Sequence, residues 1–161
     1  MVREISAGGV VVRRAAEGWE MAVIEPQKEA SASPSGSKTS QKVLIALPKG
    51  LVDRGEKPEQ TAIREVLEET GLTATAITKL GDIKYVYVRS WGDRQRVFKI
   101  VSFYLLRYLS GRIDEIAPAM RVEVKRAVWI PLDEAARKLA YRGEQDMARR
   151  AQQYLKSHPE A

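Results

Sequence analysis

The chain has 161 residues, 44% of them hydrophobic, and a formal net charge of +6. That length suits one domain, 1–161, with a real core, and no apolar run approaches a membrane span. There is no cysteine, which excludes disulfides, thiolate metal sites and a cysteine nucleophile and fits a cytoplasmic protein.

Residues 3–13 read as a strand rich in β-branched side chains, not as a signal peptide. The Gly8-Gly9 pair inside it predicts a bulge or a close backbone approach. Trp19 to Pro26 reads as the returning strand. Residues 27–42 are rich in Ser, Gly and Pro and read as a flexible loop inserted into the domain. Val43 to Leu47 reads as a short buried strand, and Pro48-Lys49-Gly50 leads into a loop over 51–57. Pro58, harmless at a first helical position, and Gly71, suited to a left-handed cap, bracket a helix of about 12 residues. Ala74 to Leu80 and Asp82 to Arg89 read as strands, with a hairpin turn at 90–94 and a long return strand from Gln95 to Tyr108. A loop over 110–119 leads to a final strand, Glu123 to Ile130. Helices follow over 133–139 and 144–156. Strands joined by hairpins with interspersed helices predict an α+β layered domain.

The helix after Pro58 carries the chemistry. On a helical wheel, Ala62, Val66, Ile63 and Leu67 share one arc, and Glu68, Glu65 and Glu69 form a carboxylate comb beside it. Glu65 and Glu69 are like charges at i and i+4, worth a few tenths of a kcal/mol of repulsion. No Lys or Arg stands four residues after any of the three. A local conflict of this kind marks a functional site, and a divalent cation would relieve it. A basic chain around an acidic centre suits a polyanionic substrate reached through a metal. No nucleic-acid-binding module is recognised.

The stretch around this helix resembles the Nudix box of the MutT-like Nudix hydrolases at Gly50, Glu56, Arg64, Glu65, Val66, Glu68, Glu69, Gly71 and Leu72. A chance match at a given start is on the order of one in a billion with ordinary residue frequencies. The resemblance implies the Nudix fold, an α/β/α sandwich with a mixed sheet between helices. It implies metal-assisted hydrolysis of a nucleoside diphosphate linked to a further group, with Mg²⁺ or Mn²⁺ as cofactor, a small nucleotide as partner, and a monomer or homodimer. Glu65, Glu68 and Glu69 match the metal-binding glutamates, and the Lys49 carbonyl matches a position that completes the metal shell. Glu56 and Arg64 match an orienting pair. Glu123, before Trp129, matches a further carboxylate that binds metal or acts as base, with Glu115 as the alternative.

The flanks resemble dinucleoside polyphosphate hydrolases first. Leu47-Pro48-Lys49-Gly50 looks like their entry to the box, Tyr87 stands 15 residues after Leu72, and Arg96 to Tyr104 looks like their basic residue and hydrophobic strand. Tyr85 or Tyr87 would stack on a base, and Lys49, Arg89, Arg96 and Lys99 would neutralise an extended polyphosphate. The alternatives are a MutT-type triphosphatase for oxidised nucleotides, an RNA 5′-end or inositol-pyrophosphate hydrolase, and a non-catalytic nucleotide-binding Nudix module.

Overall fold

The computed structural model describes residues 1–27, 43–90 and 92–161. The flexible loop expected over 27–42 lies, from residue 28 onward, outside the described residues, as does Trp91 of the expected hairpin turn. The strands are β1 (Val2–Ala15), β2 (Gly18–Pro26), β3 (Lys49–Leu51), β4 (Leu72–Val88), β5 (Arg96–Gly111) and β6 (Val124–Pro131). The helices are α1 (Pro58–Thr70), α2 (Leu132–Lys138) and α3 (Arg142–Ser157), with a 3₁₀ turn at Pro118–Val122. No helix among the described residues is long and apolar enough to cross a membrane.

One mixed sheet runs β4-β5-β1-β2-β6, with β3 added to β1. Among the described residues only β1 and β5 are parallel; the other pairs are antiparallel. Strand alternation sorts the two faces. Val10, Val12, Met21, Val23, Val101, Phe103 and Leu105 pack against Leu132, Ala135, Met147, Ala151 and Leu155 of α2 and α3. Ala7, Val11, Ala22, Ala74 and Leu106 pack against Ala62 and Val66 of α1. The α/β/α sandwich is therefore present as expected.

Gly8-Gly9 follows the second of its two expected readings, and three other details differ from the sequence reading. The Gly8-Gly9 pair makes a close approach and no bulge, because the β1–β5 register runs unbroken from Val2 to Val12. A Cβ on Gly8 would lie 2.7 Å from the Lys49 Cβ, and one on Gly9 would lie 2.9 Å from Val66 Cγ2. Residues 43–47 form no strand; Val43 and Leu44 are 55% and 54% exposed, and only Ala46 bridges to Ile24. Their ladder cannot extend, because the Ile45 carbonyl accepts from Ala140, the Leu47 N–H donates to the Glu144 side chain, and Pro48 has no N–H. The two strands expected after the box are one, β4, whose register slips at 73/74, 76/78 and 79/81 let it bend without breaking. Glu123 precedes β6, at the end of the 3₁₀ turn, and is not itself a strand residue.

β1 and β2 pair only near their connection, from Val12 opposite Met21 to Ala15 opposite Gly18. Beyond that point they part, and β3 takes the place beside Ser6, Ala7 and Gly8. The fork opens the cleft described next.

Candidate active site

Helix α1 begins where expected. Its Lys57 cap donates its N–H to Gln60 Oε1 at 2.9 Å, and Gly71 ends it at φ 85° while donating to the Leu67 carbonyl at 2.9 Å. The face it buries is rotated from the one the wheel suggests. Thr61, Ala62, Glu65, Val66, Glu69 and Thr70 are buried, whereas Leu67 is 49% exposed. Two of the three comb carboxylates therefore lie on the inward side, at 9% exposure for Glu65 and 7% for Glu69. Burying carboxylates instead of a leucine has no packing advantage.

Local relief of the comb comes from its N-terminal side. Arg64 donates from Nε to Glu56 Oε2 at 2.8 Å and from Nη2 to Glu56 Oε1 at 2.9 Å, a two-pronged fork. Its Nη1 donates to Glu65 Oε2 and to Glu68 Oε1, both at 2.8 Å. One guanidinium thus aligns three carboxylates, including Glu68 four residues on. Glu56 also accepts from the Thr61 hydroxyl at 2.6 Å and the Asp53 N–H at 3.1 Å. Arg64 first, then Thr61, hold the Glu56 carboxyl down to about 2.

Glu65 and Glu69 move the other way. Burial pushes the Glu69 carboxyl from 4.5 up to about 8, and repulsion from Glu65 adds to it. Glu65 is raised by burial and then by Glu68; its bond to Arg64 opposes this without overcoming it. The expected charge repulsion is therefore present, but desolvation is the larger cause. The Lys49 N–H donates to Glu69 Oε1 at 3.3 Å. Opposite Glu65 lies Gly50, where a Cβ would fall on the Glu65 carboxylate itself.

These groups line a cleft of about 660 Å³ with Ser6, Lys99 and Glu123. Ser6 is buried, and its Oγ has no hydrogen-bond partner among the described residues. A second pocket of about 410 Å³ adjoins it, lined by Ile83, Tyr85, Val101, Phe103 and the first turn of α3. Lys49 and Tyr141 line both recesses.

The fold thus gathers Lys49, Glu65, Glu68, Glu69, Lys99 and Glu123 into one cleft, with Tyr85 in the pocket beside it. Glu115 does not line the cleft; it follows Gly71 in space, its carbonyl packed against that glycine. Tyr87 lines neither recess and donates its hydroxyl to Glu4 Oε1 at 2.9 Å. Arg96 is exposed and, by alternation along β5, lies on the sheet face opposite Lys99. Arg89 stands beyond the end of β4, where its N–H closes the hairpin onto the Gln95 carbonyl at 3.0 Å.

Three lining residues escaped sequence reading: Ser6, Tyr141 and Glu144. Ser6 reads as an ordinary strand residue. Glu144 sits in the first turn of a helix, where an acidic residue has a sufficient explanation in the helix dipole.

The donor set fits a divalent cation. Carboxylate oxygens are the ligands that Mg²⁺ prefers, two of these carboxylates are buried, and Gly50 leaves room at Glu65 that any side chain would fill. Among the described residues no three His, Cys, Asp or Glu side chains converge in ligand geometry, and Arg64 Nη1 engages both Glu65 and Glu68.

Comparison with known proteins identifies the family and the fold. The NUDIX domain model matches residues 6–152. The Mycobacterium tuberculosis protein named MutT4 is 35% identical over 156 residues, covering 96% of this chain and 56% of that protein. The 8-oxo-(d)GTP phosphatase of Mycolicibacterium smegmatis is 32% identical over 105 residues, 65% of this chain and 29% of the relative. The chain thus spans about half the length, or less, of these two relatives. In fold it is similar to the Caenorhabditis elegans Ap4A hydrolase, at TM-score 0.64 and 22% identity over 96% of this chain and 98% of the other. A NUDIX domain of Shewanella oneidensis NrtR in complex with ADP ribose superposes at TM-score 0.64 and 18% identity, over 96% and 90% of the two chains. With the family model spanning nearly the whole chain and the box folded onto a carboxylate-lined cleft, this protein belongs to the NUDIX domain family.

Proposed function

We propose that this chain hydrolyses a pyrophosphate linkage in a nucleoside polyphosphate, using a divalent cation held by Glu65, Glu68 and Glu69. The observation that carries this reading is the pair of buried carboxylates, Glu65 and Glu69, facing Lys49 and Gly50 in a cleft that adjoins an aromatic pocket. When bound, Mg²⁺ or Mn²⁺ supplies Lewis acidity and charge neutralisation at the phosphate oxygens. The Lys49 carbonyl offers a further oxygen to it.

The residues of the chain do the rest. The aromatic pocket takes the base, between Tyr85 and Tyr141. Lys99 meets the phosphates; burial lowers its pKa, while Glu4 favours its charged form. Arg64, braced by Glu56, orients Glu65 and Glu68 beside one another at the cleft. Glu123, exposed in the same cleft, accepts a proton from the attacking water.

Within nucleoside polyphosphates, two observations favour a triphosphate bearing an oxidised purine. Arg89 and Arg96, two of the four basic residues suited to a longer polyphosphate, do not line the cleft. The relatives at 35% and 32% identity are named MutT4 and 8-oxo-(d)GTP phosphatase. Dinucleoside polyphosphates are the second reading, supported by Tyr85 at the pocket, Lys99 in the cleft and the cleft's extension beyond the base pocket.

A product-resolved screen with Mg²⁺ tests both, using dGTP, 8-oxo-dGTP, diadenosine tetraphosphate and ADP-ribose. The expected result is preferred turnover of 8-oxo-dGTP, lost by about two to three orders of magnitude in Glu69→Gln. Release of ATP from diadenosine tetraphosphate as the dominant activity would select the second reading. An undiminished Glu69→Gln rate would overturn the assignment of the comb.

A further inference from the structure

The first turn of α3 lies between the two recesses. Tyr141, the residue preceding the helix, lines both, and Gly143 and Glu144 line the aromatic pocket. Gly143 lets this turn press on β4, since a Cβ there would stand 2.7 Å from Ile83 Cδ1. The approach buries Glu144 to 3% exposure, deeper than any carboxylate of the comb.

Both Glu144 oxygens are engaged by one short segment. The Leu47 N–H donates to Oε1 at 2.8 Å, and Lys49 Nζ meets Oε2 at 2.8 Å. Lys49 Nζ also donates to the Leu47 carbonyl at 3.3 Å and lies 5.8 Å from the centre of the Tyr141 ring. Between them, the Pro48 carbonyl accepts from Gly9 at 3.1 Å. The other end of the segment is the Lys49 N–H that meets Glu69. A carboxylate on a helix of one sheet face thus fixes the backbone that contacts a carboxylate on a helix of the other face.

Fold stability alone does not require this arrangement. A buried ion pair roughly breaks even against apolar side chains of the same volume. The pair also takes Lys49 largely out of the role expected for it, because Glu144 already neutralises its charge.

We propose that Glu144 is a positioning residue for the carboxylate cleft: it fixes the Leu47–Lys49 segment against Glu69 and ties the aromatic pocket to the cleft. This rests on the hydrolase reading above. Removing the tether loosens the backbone at Glu69 and weakens divalent-cation binding, as loss of an outer-sphere partner does.

The test measures Mn²⁺ binding by electron paramagnetic resonance, thermal unfolding, and kcat and KM for 8-oxo-dGTP, on the full chain. Glu144→Gln keeps an acceptor for the Leu47 N–H but removes the charge that holds Lys49. Its Mn²⁺ dissociation constant is expected to rise about tenfold, with kcat falling more than KM changes and unfolding still cooperative. Unchanged Mn²⁺ affinity and kcat in the folded variant would overturn the proposal, whatever the melting temperature does. If Glu144→Gln does not fold, Glu144→Asp carries the test, since its carboxylate is one methylene short of Lys49. Its Mn²⁺ affinity is expected to fall, and an unchanged affinity overturns the proposal. Turnover with Mn²⁺ affinity indifferent to residue 144 leaves the hydrolase reading standing. Neither Mn²⁺ binding nor turnover in the unaltered chain overturns both.

Discussion

Gly50 stands against the Glu65 carboxylate, and the Lys49 N–H before it donates to Glu69 at 3.3 Å. Gly50 is a strand residue paired with Ala7, and the Glu65 carboxylate occupies the space where its side chain would be. Gly50→Ala should therefore displace Glu65 with little change to the backbone. A misplacement of about 1 Å can lower the rate about 10²-fold; a loss of that size in Mg²⁺-dependent hydrolysis, with a stability loss of about 1–3 kcal/mol, is the expected outcome. Retained activity would mean that Glu65 need not stand where it does. Glu69 gives a pH signature. Its folded-state pKa is raised from 4.5 to about 8, so the folded protein binds this proton more tightly than the unfolded chain does. The stabilisation is complete below the unfolded value and is lost as pH rises through the folded one. In chelator, the melting temperature should fall between about pH 5 and about pH 8, and Glu69→Gln should flatten the slope. Glu56 has the opposite sign: its pKa is about 2, so its contribution persists above the ordinary 4.5 and disappears only in acid. An unaltered slope in Glu69→Gln would place the titration elsewhere.

At the scale of elements, α1 shows what periodicity conveys and what it omits. Its ends were legible because Pro58 and Gly71 act through local backbone geometry. Gly71 has φ 85°, and a Cβ there would stand 2.6 Å from the Glu115 carbonyl and 2.7 Å from that of Arg112. Gly71→Ala should destabilise the fold by about 1–3 kcal/mol, measurable by urea unfolding; no change would mean that the loop before β6 moves away at no cost. The buried face of α1 was less legible, because a wheel ranks residues by polarity. It cannot register that β3 lies over Glu65 and Glu69 and leaves Leu67 outside. Residues 43–47 have the same lesson: an apolar run resembles a strand, but Glu144 and Ala140 use the backbone groups a ladder would need.

Across the whole molecule, the site lies where β1 and β2 part, and elements distant in sequence meet there. The aromatic pocket joins Tyr85 of β4 to Tyr141 before α3. Stacking of a base on an aromatic ring is worth about 1–3 kcal/mol. Tyr141→Ala and Tyr85→Ala should each raise KM for the preferred nucleotide about tenfold, with kcat moving less. A KM untouched by both would remove the pocket from substrate recognition. Divalent-cation binding is a second test at this scale, since a ligand that binds only the folded state stabilises it. Millimolar Mg²⁺ should raise the melting temperature, and more at pH 8 than at pH 6, where Glu69 still holds its proton.

Legible along the chain were the family, the extent of α1 and the comb of Glu65, Glu68 and Glu69 beside Arg64 and Glu56, whereas the α/β/α layering was implied by the family resemblance. The box and its comb are local features: residues a few positions apart on one helix and the loop before it are close in any fold that forms that helix. Which residues from elsewhere join them depends on how the strands and helices pack. Lys99 and Glu123 line the cleft, whereas Arg89, Arg96 and Tyr87 do not, because strand alternation and the length of the β4–β5 hairpin set where each side chain lies. Ser6, Tyr141 and Glu144 join for the same reason. Glu144 is 95 residues from Lys49 in the chain, and no pattern along the sequence encodes the 2.8 Å between their charged atoms.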